Sequence, residues 1–173
     1  MNDKDSIATQ IALAFASVEY PGDWCLRGSN EGDEPYLLEQ EFKGKSDWRT
    51  IDPSFIDQAP AGFGTALHLF SDEAFHIYLP AYLIADIRGQ LKQSDPVFCL
   101  THGLDEYSRS QLVNPRRYGE RTWFEEAHHK FAIFNREECA AIVAYLTLKK
   151  EDKASECRAI GEALSNYWYE RAM

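Results

Sequence analysis

The chain has no Cys-x-x-Cys pair, no Gly-x-Ser-x-Gly elbow, no Gly-x-x-x-x-Gly-Lys loop and no Gly-x-Gly-x-x-Gly fingerprint. These absences remove support for zinc knuckles, thioredoxin chemistry, serine hydrolysis on a nucleophile elbow, phosphate loops and dinucleotide binding. Gly62-Phe63-Gly64 stands alone and reads as a connection. No stretch reaches the roughly 18 apolar residues of a membrane span; Pro80, Asp86 and Arg88 interrupt the best candidate. Met1-Asn2-Asp3-Lys4-Asp5-Ser6 shows no basic segment followed by a long apolar run, so no signal peptide is expected. Basic charge is also scarce: 18 Lys and Arg stand against 28 Asp and Glu, for a formal charge of −10. A surface of that sign repels phosphate backbones, so nucleic-acid binding is not expected.

The acidity is uneven. Residues 1–60 hold 12 acids and 5 bases. Such a segment keeps a protein soluble, and it speeds encounter with a basic partner. The four cysteines, Cys25, Cys99, Cys139 and Cys157, are scattered; Cys139 and Cys157 fall on apolar helical stripes and read as buried, reduced thiols. A cytoplasmic location is the consistent expectation.

With 173 residues, 45% apolar and 13% aromatic, the chain is expected to be a single globular domain over residues 1–173, mainly α-helical, with long irregular loops and little or no sheet. Ile7, Ile11, Ala14, Phe15 and Val18 recur at helical spacing, and Tyr20-Pro21-Gly22-Asp23 reads as the turn that ends that helix. Residues 27–35 lack a large apolar side chain and read as an exposed loop; Tyr36–Phe42 follows as a short helix, and Asp52-Pro53 opens another turn. The strongest signal is the segment from Ser71 to Gly89: a serine cap, Asp72 and Glu73 at the positive end of the dipole, an all-round apolar body, and a terminal glycine. Pro80 predicts a kink or break inside it. Val97-Phe98-Cys99-Leu100 is the best strand candidate. Residues 101–122 are polar and poorly patterned. Asn135-Arg136-Glu137-Glu138 fits a capping box, and two helices with stripes Cys139/Ile142/Val143/Leu146 and Cys157/Ile160/Leu164/Tyr167/Trp168 close the chain as a hairpin.

The run Leu69-Phe70-Ser71-Asp72-Glu73-Ala74-Phe75-His76-Ile77-Tyr78-Leu79-Pro80-Ala81-Tyr82-Leu83-Ile84-Ala85 resembles the core motif of a bacterial family of unknown function, of the form Glu-Ala-Phe-x-x-Tyr-Leu-Pro-Ala-Tyr-Leu. The Tyr20-Pro21-Gly22 turn and the Phe42-x-Gly44…Trp48 segment are similar too. The resemblance implies a compact cytosolic domain and carries over no catalytic residue.

Three groups of side chains are candidates for chemistry. Glu73/His76 and Glu125/His128 are Glu-x-x-His pairs; on a helix, i and i+3 share a face, so each pair could offer a divalent metal a carboxylate and an imidazole. No other cofactor is expected. Arg109, Arg116, Arg117 and Arg121 could bind a carboxylate or phosphate, although surplus acid on the same molecule favours internal pairing. Tyr78, Tyr82, Tyr167, Trp168 and Tyr169 read as core with polar tips. The leading functional expectation is a macromolecule-binding module, of immunity or regulatory type, recognising a basic protein. The alternative is a metal-dependent enzyme built on the Glu/His faces.

Overall fold

The computed structural model describes residues 3–173. The chain is mainly α-helical; among the described residues there is no sheet, and the β-type pairings are two isolated bridges, Arg27 with Phe70 and Leu112 with Thr122. It divides into two compact units, one ending at Pro96 and one beginning at Val97.

The first unit holds α1 (Asp3–Ala14), α2 (Glu34–Phe42), α3 (Pro53–Gln58), α4 (Ala66–Leu69) and α5 (Asp72–Ile87). Its centre is α5, eleven of whose sixteen residues are buried. The start is fixed as the sequence predicts: the Ser71 hydroxyl accepts Ala74 N–H at 3.0 Å and itself donates to the Cys25 carbonyl. The end is a Schellman closure, with Gln90 N–H bonded to Ala85 O at 2.9 Å and Gly89 N–H to Asp86 O at 2.9 Å. The helix runs through Pro80 without a break. An interior proline costs about 3 kcal/mol. Each large side chain fully buried around it returns on the order of 1.5–3 kcal/mol, and Phe75, Tyr78, Leu79, Tyr82 and Leu83 are all at most 1% exposed.

Aromatic rings fill the space beside α5. Phe70 lies 5.2 Å from Tyr78 and 4.9 Å from Phe42, and Phe42 lies 4.9 Å from Tyr78. Both buried tyrosines satisfy their hydroxyls on backbone: Tyr78 donates to Lys45 O at 2.7 Å, Tyr82 to Ile56 O at 3.1 Å. At Gly28 the chain passes so close to this core that a Cβ would stand 2.7 Å from Phe70 O. Helix α1 stops at Ala14, before the predicted Tyr20 turn, because Ala16 and Val18 close tighter i→i+3 bonds to Leu13 and Phe15 while Arg49 donates to the carbonyl of Ala16 at 3.0 Å.

The second unit contains α6 (Pro96–Thr101, opening on the boundary residue), α7 (Pro115–Tyr118), α8 (Trp123–Phe131), α9 (Arg136–Asp152), α10 (Cys157–Ala163) and α11 (Tyr169–Ala172). The strand candidate Val97–Leu100 is therefore helix: Pro96 is preset for a first helical position, and Val97, Cys99 and Leu100 are buried. Two reciprocal capping boxes start α8 and α9, Thr122 with Glu125 and Asn135 with Glu138. Between α10 and α11 the backbone widens into a π-type turn, Leu164–Trp168. It puts the adjacent Tyr167 and Trp168 both inside, where Trp168 packs on Phe131 at 4.9 Å and donates Nε1–H to Leu100 O at 2.9 Å. Arg171 donates to Phe134 O at 2.6 Å, which fixes the closing helices as antiparallel neighbours of α9.

One carboxylate locks the segment that leaves α5. Asp57 is 5% exposed and accepts the amides of Lys92, Gln93 and Ser94 at 3.0, 2.9 and 3.0 Å. Burial pushes its carboxyl upward, but the three amides and the Lys92 charge outweigh it and leave the pKa below the ordinary value. A depressed carboxyl stabilises the fold above its unfolded value, near 3.9, and that contribution is lost as pH falls through the lower folded value. Asp57→Asn is expected to cost about 2 kcal/mol near neutral pH and to flatten the acid limb of stability, measured by urea titration at several pH values.

Candidate functional site

The Glu/His pairs lie in different units: Glu73 and His76 on α5, Glu125 and His128 on α8. Each has local work. The His76 ring meets Phe15 edge-on at 6.0 Å. Glu125 accepts the Thr122 amide at 2.9 Å as half of a capping box. His128 Nδ1 is 2.8 Å from Phe124 O, and its ring packs between Phe124 and Tyr167 at 4.3 and 4.7 Å. Among the described residues no group of three or more His, Cys, Asp and Glu side chains is placed to hold a metal ion.

Other titratable groups serve packing. His102 packs on Phe98 and Trp123, at 5.0 and 4.8 Å, and partial desolvation there lowers its pKa although the residue stays exposed on its other side. Cys25, Cys99 and Cys139 are buried and outside any disulfide; Cys157, expected inside, is partly exposed because α10 begins only there, after a tight turn at Ala154–Glu156. Tyr78, Tyr82, Tyr167 and Trp168 are core, whereas Tyr169 is surface. No helix among the described residues is long and apolar enough to cross a membrane.

The arginines form a defined feature. Arg109 stacks over Phe124 at 3.9 Å and donates to Glu106 at 2.8 Å; Arg121 pairs with Glu126 at 3.0 Å. These acids are neighbours in sequence, not members of the N-terminal third. Arg116 and Arg117 are exposed on α7, whose start is capped by Asn114.

The first unit presents an open cleft of about 530 Å³ that sequence reasoning did not identify. Glu31, Asp33 and Glu34 line it together with Pro35, Leu37, Phe63 and Leu69. Phe63 is 57% exposed, and a tight turn holds it out. Phe63 N–H bonds Pro60 O at 2.9 Å, with Ala61 at φ 51° and Gly62 at φ 84°. Glycine adopts that region freely; alanine does not. Two acids of α2 brace the turn: Glu41 accepts Ala61 N–H at 3.0 Å and Glu34 accepts the Thr65 hydroxyl at 3.2 Å. Charge follows the same division. Residues 1–96 hold 16 acids and 7 bases, residues 97–173 hold 12 and 11. Trp24, 73% exposed, is tied to its own loop through Nε1–H to Pro21 O at 3.2 Å. Ala61→Gly is expected to raise stability by about 0.5–1 kcal/mol by relieving the left-handed alanine, and Ala61→Val to lower it; urea midpoints of the two variants check the sign.

Comparison with curated proteins and with solved structures finds no match. The model of the family of unknown function DUF6714 matches residues 3–172, and the chain belongs to that family.

Proposed function

We propose that the protein is a binding module whose first unit receives a basic, partly apolar segment of another protein in the cleft between α2 and the Phe63 turn. The observation that carries this reading is the combination of Glu31, Asp33 and Glu34 at one cleft with an exposed Phe63 on a backbone that includes a left-handed alanine. Contiguous apolar patches rimmed by polar groups mark interaction surfaces, and Leu37, Phe63 and Leu69 share this cleft with the three acids. Strained backbone persists where neighbouring structure holds it, and here Glu41 and Glu34 do so. The two chemistries divide the labour. Acid on the rim sets encounter rate and partner choice, and each exposed pair adds little affinity. A desolvated aromatic anchor supplies most of the binding energy.

A fluorescent amphipathic peptide of lysine and leucine is the probe, with its glutamate and leucine counterpart as control. The lysine peptide is expected to bind and to weaken roughly tenfold between about 50 and about 300 mM salt as the rim charges are screened. Phe63→Ala is expected to lose roughly tenfold or more at fixed salt, while Asp33→Asn mainly slows association. Equal binding of both peptides, or affinity indifferent to Phe63, overturns the reading.

A further inference from the structure

The second unit carries a surface complementary to that cleft. Residues 107–122 hold four arginines and one acid, Glu120, in a chain that is strongly acidic elsewhere. The loop is closed at its neck: Trp123 N–H bonds Gln111 O at 2.9 Å and Val113 N–H bonds Arg121 O at 3.0 Å, across the Leu112–Thr122 bridge. Inside it, the Asn114 side chain accepts the amides of Arg116 and Arg117 at 3.1 and 3.3 Å. The tip is therefore ordered before any partner arrives, which lowers the entropy cost of docking. Tyr118 is 41% exposed, with the Arg117 and Arg121 guanidinium carbons 5.4 and 5.6 Å from its ring centre. Leu112 is exposed on the same loop.

We infer that this loop of one copy docks in the first-unit cleft of a second copy, so that the basic partner is the protein itself. The inference rests on the reading of the cleft as a receptor for basic, apolar segments. The two surfaces match in kind: arginines beside a tyrosine, with an exposed leucine on the same loop, on one side, and acids with Leu37, Phe63 and Leu69 on the other. The overall charge of −10 opposes approach at long range. At physiological ionic strength the screening length is about 8 Å, so charges within the contact decide. A loop-to-cleft contact joins different patches on the two copies, which is the heterologous class of assembly.

Sedimentation velocity on the full chain, from about 5 to about 200 µM, tests this with two charge-reversed variants. Wild type is expected to gain mass with concentration and to lose that gain at high salt. Arg116→Glu/Arg117→Glu, with the cleft intact, and Glu31→Arg/Asp33→Arg, with the loop intact, are each expected to stay monomeric. Mixed in equal amounts they are expected to form a two-chain species, since one supplies the cleft and the other the loop; that recovery also shows that both are folded. A wild type that is monomeric throughout, association that survives loop reversal, or a mixture that fails to associate overturns the inference. If wild type stays monomeric yet binds the lysine and leucine peptide, the second copy fails as the occupant and the cleft reading stands. If the peptide does not bind either, both fail.

Discussion

A helix that is apolar on every side has no face to give to water, and α5 imposes this constraint on the first unit. It is stable in water only if other elements cover most of it, as they cover eleven of its sixteen residues. Each covering element must then settle the polar groups it traps, because an unpaired buried donor or acceptor costs about 1–3 kcal/mol. The turns around α5 do this with few residues. Lys45 and Ile56 give their carbonyls to the Tyr78 and Tyr82 hydroxyls. Cys25 gives its own to Ser71. Leu26 O accepts Ser71 N–H at 3.1 Å and Leu69 O accepts Gly28 N–H at 2.8 Å. The irregular segments of the first unit are thus the hydrogen-bonding complement of one buried helix.

That arrangement leaves function to the outside. Neither buried tyrosine can touch a ligand, and their burial raises the Tyr78 phenol well above its ordinary range. Where the Tyr20 hydroxyl meets a carboxylate, Asp23, the pair tightens a turn: Asp23 also accepts Gly44 N–H at 2.9 Å, both donors hold its pKa low, and burial with the Asp23 contact raises Tyr20. Polar groups that are strongly perturbed here mark structural joints. Among the described residues, the Phe63 cleft and the Arg116–Tyr118 loop display apolar tips beside charges of mostly one sign.

What the sequence revealed was local. The Ser71 cap, the Gly89 closure, the Asn135 box and the proline start at Pro53 are written in three to five consecutive residues, and each appears as expected. What it concealed was non-local. Val97–Leu100 alternates too briefly to distinguish strand from helix; burial inside the second unit decides it. The end of α1 depends on Arg49, far along the chain. The π-type turn has no signal in composition, and only the demand to bury both Tyr167 and Trp168 explains it. The cleft escaped for the same reason: Glu31 and Phe63 are remote in sequence and line one cleft once Glu41 and Glu34 of α2 accept hydrogen bonds from Ala61 and Thr65.

The acids around the Phe63 cleft and its turn consequently fall into two kinds. Glu34 and Glu41 hold the Phe63 turn by accepting hydrogen bonds from it, so removing them would shift stability, turn geometry and charge together. Glu31 and Asp33 belong to the loop that enters α2 and contribute charge at the lip. If net charge alone governed association, the two kinds would behave alike. If the cleft is a receptor with a placed anchor, they differ: changes at the lip alter rate and salt response while Phe63 stays where it is, whereas loss of Glu41 lets the strained turn relax and moves the anchor itself. Long-range attraction and local fit are separable in this molecule because the same residue type does the two jobs from different positions.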